Sequence, residues 1–284
     1  MIFSKLKSHI RISLFLSKIF FYRRFKRFHL SFFWTFFPTI SVFVATIVSS
    51  KQLNLQQFGF EIHYTMWVIP AFVIFRSLTE SIDAGQKLIQ ISFILQRTIN
   101  INSYQIFFAC FFTSFIILIF DIILITAIYY YFAESFEIYK YAIYLLIFSN
   151  GIIIGTIFSM LFGSAGMLIF DLRFISKFLR GIILFCTPIF YIMPKSGIIE
   201  IINKYNPFTY LISAGRDILI YENFTKNEIV TFYSFAATFL LFVIFIIKFK
   251  DWQKIINSTL VKGAIGQTYA WYIVLRTKTK NDNR

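Results

Sequence analysis

Charged side chains make up only 14% of the 284 residues, against roughly 25% in a soluble globular domain. A water-facing surface cannot be covered by so few charges, which excludes a soluble fold. Cysteine occurs only at Cys110 and Cys186, each inside an apolar run, so there is no disulfide framework to read. The few histidines, His9, His29 and His63, are scattered over the N-terminal segment and an outer loop, which argues against a zinc site or any other metal site. No G-x-x-x-x-G-K-[ST] occurs, so the chain has no P-loop and cannot hydrolyse ATP by itself. No G-x-S-x-G or cysteine–histidine arrangement occurs either. The outer carboxylates Glu134, Glu137, Glu200, Asp217, Glu222 and Glu228 form no tight cluster of the kind an enzyme acting on lipid-linked substrates needs. The expectation is a chain that is not an enzyme and carries no cofactor. No cleavable signal peptide is expected, because charge interrupts the first 30 residues throughout.

Apolar sequence is abundant. Hydrophobic residues account for 58% of the chain and the mean hydropathy is +0.71. Phe107 to Phe132, broken only by Asp121 and a few hydroxyl residues, exceeds the roughly 20 residues that cross a hydrocarbon core as a helix. A transmembrane barrel would show strict alternation in segments of about ten residues, which is absent. Helices are the remaining way to satisfy the backbone in lipid. The net charge of +15 does not read as nucleic-acid binding, because of where it lies. Eight Lys/Arg precede the first span and eight follow the last. Six predicted spans put 21 basic residues inside and six outside, with Arg76 within a span. That bias places both termini in the cytoplasm and the chain in the plasma (inner) membrane.

The reading predicts an all-α integral membrane protein in three parts. Residues 1–30 form an amphipathic helix at the cytoplasmic membrane surface, with Ile10, Leu14, Phe21 and Phe25 among basic residues. Residues 31–250 form the six-helix transmembrane domain, and 251–284 a basic cytoplasmic tail. The spans are expected near 32–49, 65–83, 104–132, 139–168, 178–193 and 228–247, with residues 84–103 returning through the cytoplasm. Residues 195–226 hold apolar pieces too short to cross, separated by Asn206-Pro207 and Gly215, and read as re-entrant or interfacial helices on the outer side. Gly151, Gly155, Ser159 and Gly163 repeat every four residues on span four, a stripe that lets another helix approach closely, in the same chain or in a second copy.

Charge inside the bilayer marks function or a structural pair. Arg76 and Glu80 stand one turn apart and can pair along one face, while Asp121 has no local partner and needs a donor from another helix, or a proton. These three are candidates for a polar path or a helix interface. Aromatics reach 21% of the chain; Tyr and Phe faces in a pore would let sugar rings slide past.

The order of features resembles the permease subunits of ABC exporters for bacterial surface polysaccharides: capsule, O-antigen and teichoic acid. The resemblance covers about residues 10–250 and rests on four pieces. These are the basic amphipathic start followed by Phe33-Trp34-Thr35-Phe36-Phe37-Pro38; Gln86-Lys87-Leu88-Ile89; Asp171-Leu172-Arg173 with Thr187-Pro188-Ile189-Phe190-Tyr191; and Asn206-Pro207-Phe208 leading to Arg216. The chain departs from the pattern at Ser31-Phe32-Phe33, Ser92-Phe93-Ile94 and Asp171-Leu172-Arg173. The resemblance implies a homodimer of six-helix subunits joined by two copies of a separate ABC ATPase that binds ATP and Mg. Arg23, Arg24, Gln86, Lys87 and Arg97 would contact that ATPase. Pro188, Tyr191, Asn206, Pro207 and Arg216 would form an outer gate for a lipid-linked glycan. Rival readings are a drug or antibiotic exporter permease of the same type and a membrane-embedded glycosyltransferase or polymerase. A secondary transporter predicts inverted repeats, and no convincing repeat relates the two halves.

Overall fold

The computed structural model describes residues 2–26, 31–50, 63–96, 101–132, 137–168, 172–193, 196–221 and 238. The expected sixth span at 228–247, apart from Thr238, and the basic tail lie outside the described residues. Among the described residues the chain is all-helical, with no strand. Its elements are α1 (Ile2–Lys26), α2 (Ser31–Ser50), α3 (Tyr64–Gln96), α4 (Ser103–Ile117), α5 (Ile119–Phe132), α6 (Ile138–Leu168), α7 (Leu172–Phe185), α8 (Ile198–Tyr205) and α9 (Pro207–Ile220). Among the described residues two helices are long and apolar enough to cross a membrane, Phe33–Ser50 and Ile138–Gly166, and α4 with α5 makes a third if that bent pair counts as one span.

α3 is the hub. It packs chiefly against α6 and α9 and also against α2, α4 and α5. Val68, Ile69, Val73, Ile74 and Leu78 are all fully buried. Buried residues of both kinds, including Thr65, Ser77 and Ser81, place this stretch of α3 inside the bundle. Two of its hydroxyls bond within the helix: Ser77 donates to the Ile74 carbonyl at 2.7 Å and Thr79 to that of Phe75 at 3.0 Å. Within the segment expected to return through the cytoplasm at 84–103, α3 runs on to Gln96, and Ala84, Gly85, Leu88 and Ile89 are buried. Nothing between Ala84 and Gln96 breaks a helix, and Ala84 with Leu88 continues a helical apolar spacing.

Three other boundaries also differ from expectation. The run 104–132 is broken at Leu118 by a 45° bend. Thr113 and Ser114 donate to carbonyls four residues back just before it, a bonding pattern that bends helices. The expected fifth span, 178–193, is instead α7 over Leu172–Phe185, ending before Thr187-Pro188 because proline lacks the amide and disfavours helix in the residue ahead of it. At about 1.5 Å per residue, a 14-residue helix rises about 21 Å, short of a core about 30 Å thick. α9 passes through Gly215 without interruption, so among the described residues Asn206-Pro207 alone divides the short helices α8 and α9. α1 lays Ser13, Leu16, Ser17 and Phe20 inward, packed chiefly on α4, and leaves Leu14, Phe15 and Tyr22 exposed.

Candidate functional site

Three helices deliver polar side chains to one buried point. Arg76 on α3 is 6% exposed and Asp121 on α5 is fully buried. Arg76 Nη1 donates to Asp121 Oδ1 at 2.8 Å and also to the Thr39 hydroxyl of α2, while Nη2 donates to the Thr35 carbonyl at 2.8 Å. Thr39 Oγ1 donates in turn to Asp121 Oδ1 at 2.6 Å. Asp121 Oδ2 has no hydrogen-bond partner among the described residues. Asp121 sits in the first turn of α5, where the helix dipole favours a negative charge.

The pairing expected of Arg76 with Glu80 is therefore replaced by one across helices. Side chains on a helix lean toward its N-terminus, so Arg76 reaches back toward Thr35 and Thr39 and away from Glu80. An arginine placed before its acid at this spacing is also the weaker order. Thr35 and Thr39 carry no charge to single them out in the sequence, although their four-residue spacing places both on one face of α2. They take up donors that one carboxylate could not satisfy alone.

A second cluster lies where the chain leaves α7. Arg216, on the buried α9, donates from Nη1 to the Pro188 carbonyl at 3.1 Å and from Nε to Asp217 Oδ1 at 3.0 Å. Its guanidinium lies 3.8 Å from the centroid of the Trp67 ring, a stack that a planar, delocalised cation makes well. Asn206 accepts from the Phe208 amide at 3.0 Å, capping α9, and donates to the Cys186 carbonyl at 3.0 Å. Tyr191 shares a hydrogen bond with Asn203, and the Tyr64 hydroxyl donates to the Phe190 carbonyl at 3.0 Å. The structure thus gathers Pro188, Tyr191, Asn206 and Arg216 into one clamp holding residues 186–191 against α3, α8 and α9. Pro207 stands beside the clamp at the head of α9, where it is exposed and occupies the first helical position. Trp67 and Asn203 also belong to the clamp, and nothing in the sequence pattern singles them out.

The remaining candidates fall elsewhere. The stripe Gly151, Gly155, Ser159 and Gly163 faces α3 of the same chain. A Cβ at Gly155 would overlap the Leu78 carbonyl, and one at Gly151 would overlap Ser77. Of the residues expected to meet an ATPase, Gln86 is buried and accepts a hydrogen bond from Ser176, and Lys87 is exposed. Arg97 and the side chains of Arg23 and Arg24 lie outside the described residues. Among the described residues no group of three or more His, Cys, Asp or Glu could hold a metal ion, and neither cysteine is in a disulfide. The charge cluster and the clamp can fasten helices and fix a loop; neither arranges a nucleophile beside a base. No protein-family model matches the chain, and a search of curated proteins finds no match to it.

Proposed function

We propose that this chain is the permease subunit of an ABC exporter that moves a surface polysaccharide, or its lipid-linked precursor, across the plasma membrane, with ATP hydrolysed by a separate subunit. The observation that carries the reading is the clamp. Residues 187–191, Asn206 and Arg216, distant in sequence and the most specific part of the resemblance, meet in one hydrogen-bonded unit at one end of α3. An outer gate needs a loop held by defined contacts that can be exchanged as the gate opens.

In this reading α2, α3, α4 with α5, α6, α7 continued by residues 186–193, and residues 228–247 are six spans, α8 and α9 are re-entrant on the outer face, and both termini are cytoplasmic. Two copies form a channel and two ATPase copies bind beneath it, with α1 and the end of α3 as the contact. The missing P-loop fits a chain that supplies a path and takes its energy from a partner. The test is to purify the chain alone and together with candidate ATPases from its own membrane. Vanadate-sensitive ATP hydrolysis by the pair and none by the chain alone is expected; failure of any ATPase to copurify under conditions that preserve membrane complexes overturns the proposal.

A further inference from the structure

α1 turns one stripe inward. Ser13, Leu16, Ser17 and Phe20 are buried, and Leu16 and Phe20 share an apolar cluster with Ile106 and Phe107 of α4. His9 stands one turn before Ser13 on the same stripe, and the Ser13 hydroxyl donates to its carbonyl at 2.9 Å. At His9 the contact with α4 turns polar. Its ring meets that of Tyr104 edge-on, with centroids 4.8 Å apart, and its two nitrogens lie against Tyr104 and Gln105 at the head of α4.

The start of α4 fixes where the hydrogens are. A backbone amide can only donate, so the Asn102 N–H occupies Gln105 Oε1 at 2.8 Å. Gln105, 2% exposed, therefore turns its amide nitrogen to His9 Nδ1, also at 2.8 Å. That nitrogen is a donor as well, so Nδ1 accepts and carries no hydrogen, and His9 is neutral with its proton on Nε2. Nε2–H donates to Tyr104 Oη at 2.9 Å, and Asn102 Nδ2 donates to the same oxygen at 2.9 Å. Both lone pairs of Oη are then filled, although it lies 3.2 Å from Nδ1 as well.

An imidazolium carries hydrogens on both nitrogens. A proton taken from water onto Nδ1 would point at the Gln105 amide hydrogens. Turning that amide over would offer Oε1 to His9 but set the NH2 group against the Asn102 amide, which undoes the reciprocal cap of α4. Either way a hydrogen bond is lost and a donor is left without its acceptor. Among the described residues no acid compensates. α1, α2 and α4 contain no aspartate or glutamate. The other charges of α1 are all basic, with Lys7 and Arg11 nearest to His9 in sequence. On α4 the titratable groups are Tyr104 itself and the buried Cys110. On α3, which joins the apolar cluster at Ala84 and Leu88, Asp83 pairs with Arg180 and Lys87 is exposed.

We propose that His9 is a proton-sensitive latch that fastens the N-terminal half of α1 to the head of α4. The latch is closed while the imidazole is neutral and opens as pH falls through its titration range, because the released form binds the proton more readily. Leu16 and Phe20 do not titrate, so release is confined to the part of α1 around His9. The latch requires nothing of the transport reading.

Hydrogen–deuterium exchange of the full purified chain in micelles tests it at about pH 7.5 and about pH 5.5, on either side of imidazole titration, with each rate divided by the intrinsic rate at its pH. Amides of residues 9–16 are expected to exchange about tenfold faster at the acid pH on that scale, and those of α6 to hold their protection. His9→Gln accepts from Gln105 at either pH and does not titrate, so it should stay docked and lose the response, whereas His63→Gln should keep it. Gln105→Glu gives Nδ1–H an acceptor while its other oxygen still takes the Asn102 amide, so it should lose the acid release too. Equal protection at the two pH values in the unaltered chain, release that persists in His9→Gln or Gln105→Glu or vanishes in His63→Gln, or equal loosening of α6 overturns the proposal. If one variant fails to fold, the others and the unaltered chain still decide. No ATPase enters the assay, so failure of the latch and failure of the transport reading are distinguishable.

Discussion

Replacing Arg76 by leucine removes the cation from a site where Asp121 is fully buried and 2.8 Å from it. The carboxylate keeps the Thr39 hydroxyl as its donor, and the Thr35 carbonyl loses the Nη2 bond. Breaking a buried pair from one side costs about 3–5 kcal/mol, because a charge is left without its counterion. Ordinary side-chain hydrogen bonds between membrane helices average only about 0.6 kcal/mol, so the charge dominates. Asp121→Leu alone strands the guanidinium and is expected to cost a similar amount. Arg76→Leu with Asp121→Leu removes both charges, and replacing a whole buried pair by apolar groups is often close to neutral. The double variant should therefore recover most of the loss, with a coupling energy of about 3 kcal/mol or more. Reversible unfolding in mixed micelles, followed by circular dichroism, reads all four corners of the cycle. A single Arg76→Leu cost below about 1 kcal/mol, or a double variant as damaged as the sum of the singles, refutes the account of this site as a charge pair joining α2, α3 and α5.

Further expectations follow from the packing and the clamp. Gly155→Leu forces a side chain into the Leu78 carbonyl of α3 and should cost more than the about 1–3 kcal/mol of ordinary overpacking, whereas Gly181→Ala, with nothing within 4 Å of its Cβ position, should be neutral or stabilising by up to about 1 kcal/mol; thermal melts of the purified variants compare them. Arg216→Lys keeps the charge but loses the planar stack on Trp67 and the fork that reaches both Pro188 and Asp217, so residues 186–191 should loosen and exchange amide hydrogen faster, while unchanged exchange there refutes the clamp. Burial lowers the His63 pKa below 6.5; its ring stacks on Phe132 and its Nδ1 accepts from the Thr65 amide. The unfolded chain then binds the proton more readily, so this contribution is present above pH 6.5 and is lost as pH falls below it. His63→Gln should flatten that part of a stability–pH profile.

The membrane class and the long runs at α2, α4–α5 and α6 were legible because lipid permits so few backbone solutions that apolar length alone is diagnostic. The ends of elements were less so. The bend at Leu118 has no proline or glycine to announce it; it arises from Thr113 and Ser114 bonding backward, and hydroxyls that do so look the same in sequence as hydroxyls that merely pack. The continuation of α3 beyond residue 83 is hidden in the sequence because Gln86, Gln90 and Gln96 suggest solvent. Gln86 instead meets Ser176, 90 positions away, and such a partner cannot be inferred from local spacing. Arg76 shows the same limit more sharply. Glu80 satisfies the local spacing rule, yet Asp121, whose carboxylate has no donor nearby in sequence, stands 45 residues away. Two buried charges of opposite sign, one with a weak local partner and one with none, stabilise each other more than either local arrangement could, since desolvation penalises whichever charge stays unpaired. In a chain with so few buried charges, pairing the leftovers across helices is the inference that the sequence permits, and it brings α3 and α5 together before any contact between them is known, while the part α2 plays through Thr35 and Thr39 stays hidden.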